Sequence, residues 1–471
     1  MNNSLKYSLT STKKENIIPI EFINYDNFYN FFENQNTLTK QWITNFDFIA
    51  DEHSYCIIYN KDGIEKKILI GIGNKIIKNI NLFSLGFSKN YLKNNFIYKF
   101  INIDSSKIIK ILTLNWMLDG YYFDNYQKNI NISINPKLFI PSNIKNYVYN
   151  ISSSISLTRD LINTPANEMM PQHIFKVIYD ISKKYNAQCS QIVGDELDNN
   201  NFSTINIVGK SSINQPRLIE LLWGNQSNPL ITLVGKGVCF DSGGLNIKST
   251  NKIRYMKKDM GGAAHVIGLA NMIMSTKLPI RLRLLVPAVE NSISNNSYRP
   301  GDIIKTRAGI NIEVDNTDAE GRIILSEVLY DACNEKPELV VDFATLTGAA
   351  RYALGTELPA FYSNNDKIAD SLQNISKLND DPIWKMPLYE EYKPLIKSDI
   401  AHIVNSYTLN SIPMGGSITA ALFLEYFIHN NVNWVHFDIT GWNFHTKPSR
   451  PKGGEAQGIR VVYDYLKSTY T

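Results

Sequence analysis

The sequence predicts an α/β protein of two domains, and three observations carry that prediction. First, 471 residues exceed what one hydrophobic core usually serves, and 44% hydrophobic with 20% charged residues is ordinary for a globular chain that can bury a sizeable core. Second, the texture changes near residue 150. The preceding stretch is crowded with Asn, Ile, Lys and Tyr, as in NKIIKNINLF (74–83) and FDNYQKNINISINPKLF (123–139), and holds no catalytic-looking cluster. Third, from about Ile151 helical and strand-like segments alternate, the pattern of a mostly parallel sheet covered by helices.

Each element follows from its residues. LITLVGKGVCF (230–240), LRLLVPAV (282–289), ELVVDFATL (338–346) and NWVHFDI (433–439) are apolar, β-branched runs bounded by Gly, Pro or Asn, and read as buried strands. Between them lie GGAAHVIGLANMIMS (261–275) and GRIILSEVLYDACNE (321–335). In the latter, Ile324, Val328 and Ala332, with Leu325, Leu329 and Cys333, recur at helical spacing. In such a sheet, ligands bind beyond the carboxyl ends of the strands.

Composition excludes several classes. The net charge is +4, and the lysines are scattered without a basic block or a basic–aromatic stripe, so nucleic acid is not indicated. Cys56, Cys189, Cys239 and Cys333 form no CxxC pair, which suits a reducing compartment and argues against a thiolate zinc site. The first residues lack an apolar stretch of signal-peptide length, and no segment approaches ~18 uninterrupted apolar residues. The expectation is a cytoplasmic protein with no membrane partner.

Chemistry concentrates just after the predicted strands. VGKGVCFDSGGLNIK (234–248) carries Lys236, Asp241 and Lys248; MKKDMGGAAHV (256–266) carries Asp259; VDNTDAEGR (314–322) carries Asp318, Glu320 and Arg322. Taken singly, each acid reads as a helix cap and each cation as a solvated side chain. Jointly, four carboxylates and three cations occur at strand-to-helix turns. Four carboxylates in one cleft cost several kcal/mol per ion unless compensated, and two divalent cations would cancel their formal charge. With oxygen donors dominant and no thiolate or His-x-x-x-His pair, Mn, Mg, Co or Zn would suit. Paired metals activate a water and polarise a carbonyl.

Two competing motifs fail on context. Asn316, Asp318, Glu320, Gly321 and Glu327 nearly match a calcium loop, but the entering IIKTRAGINIEVD (303–315) has a strand pattern where a helix is needed. INIVGKSS (205–212) ends like a phosphate loop, yet Thr204 stands where that motif needs its first Gly.

The quoted motifs resemble, in order and spacing, those of the leucyl aminopeptidase (cytosol aminopeptidase) family of two-metal exopeptidases. RDLINTPANEM (159–169), RPGDIIKTRAGINIEVDNTDAEGR (299–322), DFATLTGAA (342–350), PMGGSITAALFLEYF (413–427) and HFDITGW (436–442) agree as well, so the resemblance spans roughly 150 to 460. It implies a small N-terminal α/β domain (1–150) with an assembly role, followed by a larger α/β catalytic domain (151–471) with a central mixed sheet flanked by helices. It makes Lys236, Asp241, Asp259, Asp318 and Glu320 the ligands of two divalent ions, Mn or Zn first, then Mg or Co. Asp241 and Glu320 would bridge both ions, Asp259 and Lys236 would complete one site, and Asp318 the other. Lys236 would have to be a neutral amine, with its pKa well below ~10.4. Lys248 would polarise the scissile carbonyl and stabilise the gem-diolate. Arg322 would hold a bicarbonate that shuttles the proton of the attacking water. Met256, Thr345 and Gly348 would line the first specificity pocket.

The activity implied is removal of the N-terminal residue from peptides with a free N-terminus, by a homohexamer. The alternative is a scaffold or interaction protein that keeps the fold with weak or absent peptidase activity. Two departures from the family pattern bear on substrate preference: Arg254 stands where many relatives carry an acid, and Lys258 adds a cation beside Asp259.

Overall fold

The computed structural model describes residues 5, 7–12, 17–75, 92–93, 96–126, 136–406 and 414–471. Much of the two Asn/Ile-rich stretches, at 76–83 and 127–135, lies outside the described residues, as does Pro413 of the 413–427 motif. The chain divides into two compact units, Met1–Ser156 with Phe444–Lys452, and Leu157–Asn443 with Gly453–Thr471.

The first unit is built on a six-stranded sheet. Its strands are β1 (Ser8–Thr10), β2 (Ile17–Ile23), β3 (Tyr55–Tyr59), β4 (Glu65–Gly71), β5 (Ile97–Ile101) and β6 (Lys137–Phe139), in the order β1-β6-β5-β2-β4-β3. The β3–β4 pair is antiparallel, and the pairs running from β4 to β1 are parallel. The helix Ser106–Asp119 begins where the Ser105 side chain accepts from the Ile108 amide, and it buries Leu112, Trp116 and Met117.

The second unit holds a nine-stranded mixed sheet. Its first strands are β7 (Gln188–Val193), β8 (Arg217–Trp223), β9 (Leu230–Gly235), β10 (Gly237–Asp241) and β11 (Arg281–Asn291). A small side sheet joins β12 (Ile303–Lys305), β13 (Asn311–Glu313) and, later in the chain, β17 (Ile403–Val404). The main sheet continues with β14 (Leu339–Ala344), β15 (Ala360–Ser363), β16 (Trp384–Lys385) and β18 (Trp434–Asp438). Its order is β16-β15-β18-β14-β9-β11-β8-β7, with β10 paired to β11. The centre, β18-β14-β9-β11 with β10, is parallel, whereas β8 runs against β11 and β15 against β18.

Central parallel strands are covered on both faces, which is why they read as unbroken apolar runs. Every residue of β9, β14 and β18 is buried. The helix Glu320–Asn334 lays Ile324, Val328 and Ala332 into the core, and the helix Gly261–Ser275 is buried from Gly261 to Met274. Burying each Ile or Val side chain contributes about 1.5–3 kcal/mol. Strand–turn–helix units thus leave Lys236, Asp241, Thr345 and Asp438 at the carboxyl ends of β9, β10, β14 and β18.

Candidate metal centre

Lys236 leaves β9 and is 2% exposed. Its ammonium lies between Asp259 Oδ2 at 2.8 Å and Glu320 Oε1 at 2.9 Å, and donates to the Thr345 carbonyl at 3.1 Å. Gly321 makes room for it: a Cβ there would sit 2.6 Å from Lys236 Cε. Burial opposes the charge on Lys236, but Asp259, Glu320 and Asp241 outweigh burial and hold its pKa above the usual lysine range. Without metal, these surroundings favour a charged amine. Ligation by Lys236 requires other cations to meet the carboxylates' charge.

Asp241 ends β10 and is 2% exposed. Its Oδ1 accepts from the Gly243 amide at 2.9 Å and from Asn291 Nδ2 at 2.8 Å, and its Oδ2 pairs with Lys248 Nζ at 2.7 Å. Lys248 also pairs with Asp318. Burial is set against the Lys248 ammonium, yet Asp241, Glu320 and Asp318 prevail and raise its pKa. Asp259 opens onto the helix Gly261–Ser275 from a 3-10 turn, Met256–Met260, and Thr345 Oγ1 donates to its Oδ1 at 2.7 Å and to its carbonyl at 2.9 Å. Despite burial, Lys236, Lys258 and Lys248 hold the Asp259 carboxyl below its usual range.

The carboxylates crowd one another. Asp241, Asp259 and Glu320 each offer an oxygen within 4.8 Å of the others, all three side chains buried. Burial, and then Asp241, push Glu320 up to about 8; burial, with Asp259 and Asp318 against Lys248, pushes Asp241 up to about 6. Glu320 Oε2 is buried without a hydrogen-bond partner among the described residues. Buried oxygens that repel one another and retain unused lone pairs are the donor chemistry of a hard or borderline divalent cation, so the residues fit such ions.

Arg322 lies two residues beyond Glu320 on the same helix, 9% exposed, its guanidinium 6.0 Å from the centre of the Phe423 ring. Burial pulls its pKa down to about 10 against Asp438 and Glu320, and its Nε has no hydrogen-bond partner among the described residues. Met256 is 8% and Thr345 6% exposed, and Gly348 opens the helix Gly348–Leu354. Arg254 is exposed, whereas Lys258 is buried.

Sequence reasoning missed the neutral residues that hold the charged ones. Asn291, at the end of β11, binds both Asp241 and the Thr317 carbonyl. Thr317 Oγ1 donates to the Gly243 carbonyl at 2.6 Å and accepts from the Asn246 amide, tying the Asp318 turn to the Lys248 loop. Tyr298 and Asn405 brace the same turn, through the carbonyls of Thr317 and Asn316 respectively. The calcium-loop rejection agrees with the fold, since β13 enters this turn as a strand. The 205–212 run belongs to a helix, Ser203–Gly209, and its end.

Fold and donor set together define a class: a metal-dependent enzyme of mixed α/β architecture. Comparison with known proteins narrows it. Residues 156–463 match the model described as "Cytosol aminopeptidase family, catalytic domain", and residues 18–141 that of "M17 aminopeptidase, N-terminal domain". The chain belongs to the cytosol aminopeptidase family, whose members are metallo-aminopeptidases. It is 34% identical over 421 residues to a "Probable cytosol aminopeptidase" of Rickettsia bellii (strain RML369-C), covering 85% of this chain and 81% of that one. Among solved structures, the cytosol aminopeptidase from Coxiella burnetii matches with a TM-score of 0.93 and 40% identity over 99% of each chain. "Bottromycin maturation enzyme BotP in complex with Mn" matches with a TM-score of 0.83 and 25% identity, over 96% of this chain and 99% of that one.

Proposed function

We propose that this chain releases the N-terminal residue of peptides with the help of two divalent cations, which Lys236, Asp241, Asp259, Asp318 and Glu320 would hold. The observation that carries this reading is the cluster of three buried carboxylate oxygens within 4.8 Å of one another. Mn or Zn are the ions proposed, before Mg or Co, and the Mn complex of BotP supports the former. Bound there, the ions supply Lewis acidity for activating water and polarising the scissile carbonyl.

The chain's own residues supply the rest. Lys248, fixed by the loop that follows Asp241, presents a positive charge to the oxyanion that develops at the carbonyl. The carboxylates of the cluster are committed as ligands, so the general base must come from elsewhere. Arg322, a buried cation with an unused Nε donor, has the chemistry to hold a small anion such as bicarbonate in that role. Met256, Thr345 and Gly348 receive the first side chain of the peptide. A homohexamer in the cytoplasm accompanies this reading, as the family resemblance implies. Relatives named for peptidase activity, together with all the matched donor positions, favour the enzyme over a scaffold.

If the substrate's α-amine is a ligand, it must be free and neutral. One peptide, offered free and N-acetylated, tests this with products read by mass. Release of the first residue from the free peptide alone is expected, and comparable cleavage of the capped peptide would refute the exopeptidase reading.

A further inference from the structure

The strand β18 ends on Asp438, a carboxylate that is 2% exposed and lies outside the proposed ligand set. Four donors converge on it. The Leu346 and Thr347 amides reach Oδ1 at 3.1 and 3.0 Å, and the Thr347 and Ser417 hydroxyls reach Oδ2 at 2.5 and 2.9 Å. Ser417 in turn accepts from the Tyr362 hydroxyl at 2.7 Å. Thr347 Oγ1 also accepts from the Ala350 amide at 3.1 Å, where it caps the helix Gly348–Leu354. Hydrogen bonds to a buried charged acceptor are stronger than those between neutral groups, and removing the acceptor leaves each donor unsatisfied.

Three of the four donors belong to the turn that leaves β14. Asp438 meets that turn because β14 and β18 are parallel neighbours whose last residues, Ala344 and Asp438, are in register. The residue before the held pair faces the metal centre: the Thr345 carbonyl accepts from Lys236 Nζ at 3.1 Å, and its hydroxyl donates to Asp259 Oδ1 at 2.7 Å. The residue after the pair is Gly348. One short turn is thus gripped by Asp438 at Leu346 and Thr347 and joined to Lys236 and Asp259 through Thr345. A shift of the turn disturbs both of those partners along with Thr345 and Gly348.

We propose that Asp438 is a positioning residue for the reaction. It fixes the turn Thr345–Gly348 so that Thr345 orients Lys236 and Asp259 and, with Gly348, receives the first side chain of the peptide. The proposal rests on the aminopeptidase reading above.

Two substitutions test it. Asp438→Asn keeps the shape and an oxygen for the two amides, whereas Asp438→Ala removes every acceptor. Each is compared with the parent in Mn²⁺ affinity, by competition with a chelating dye, and in the ratio of kcat/KM between Leu- and Gly-reporter substrates. In Asp438→Ala, metal binding should weaken about 10- to 100-fold and the Leu/Gly ratio should move by about tenfold, while Asp438→Asn stays within about threefold of the parent in both. A protein that is only less stable contains fewer active molecules, which lowers turnover on both reporters alike and leaves their ratio unchanged. If Asp438→Ala does not fold, Thr347→Val, which removes one hydroxyl and keeps both amides, takes its place with shifts in the same direction. A folded variant with the parental value in either measurement would overturn the proposal. No release from either reporter by the unaltered enzyme would instead remove the aminopeptidase reading itself.

Discussion

At the scale of single residues, the centre separates two lysines that look alike in sequence. Lys236 is enclosed by Asp259 and Glu320 and is 2% exposed, whereas the Lys248 side chain is 12% exposed and bound to Asp241 and Asp318. In the proposed reading the first is a metal ligand and the second meets substrate. Lys248→Ala should therefore lower kcat by about 10²- to 10³-fold while metal content, measured by mass spectrometry, stays the same. Retained turnover with full metal would remove Lys248 from the chemistry. The charged residues were legible because unusual acids and cations recur at strand ends. Asn291 was not, because one amide after an apolar run resembles any strand terminator, and its partners Asp241 and Thr317 lie 50 and 26 residues away.

At the scale of elements, two glycines distinguish fold from site. A Cβ at Gly262 would sit 2.1 Å from the Phe343 carbonyl, a backbone atom that cannot turn aside, so Gly262→Ala should destabilise the helix–sheet contact by about 1–3 kcal/mol. The atoms nearest a Cβ at Gly321 are those at the end of Lys236. Gly321→Ala should leave the thermal midpoint near that of the parent and weaken metal binding about 10- to 100-fold, read by competition with a chelating dye. The reverse pattern would contradict this assignment of the two helices.

The helix Gly261–Ser275 also carries a pH-sensitive contact. His265 Nε2 accepts from the Gln457 amide at 2.9 Å, which leaves Nδ1 to donate to the Gly261 carbonyl at 2.6 Å and fixes a neutral ring. Burial pulls its pKa down to about 4. A depressed pKa means the unfolded chain binds the proton more readily, so this stabilisation is complete above about 6.5 and is lost as pH falls toward 4. It amounts to about 3 kcal/mol. His436, raised by Asp342 in spite of burial, titrates with the opposite sign but is common to parent and variant. Urea unfolding at pH 7 and pH 5 should show a smaller loss for His265→Gln than for the parent, and equal losses would contradict the neutral assignment.

At the scale of the whole molecule, legibility follows the kind of sheet. The strands β9, β11, β14 and β18 were readable because burial on both faces demands continuous apolar runs. The two long helices were readable from Gly-rich starts and helical spacing. The first unit's sheet was not readable in detail: β1 and β6 are three residues each, and Ser8 pairs with Lys137, a distance in sequence that no local pattern records. Its Asn- and Lys-rich composition carries no periodicity to compensate.

In the proposed reading, a peptidase centre forms when two cations replace the lysine charges as partners of four carboxylates. It is tested most directly by stripping the enzyme with a chelator and titrating Mn²⁺ or Zn²⁺ back, following release of the first residue against bound metal per chain. Activity should be absent without metal and should reach its maximum at two equivalents. Full activity at fewer than two, or in the stripped enzyme, would contradict the account.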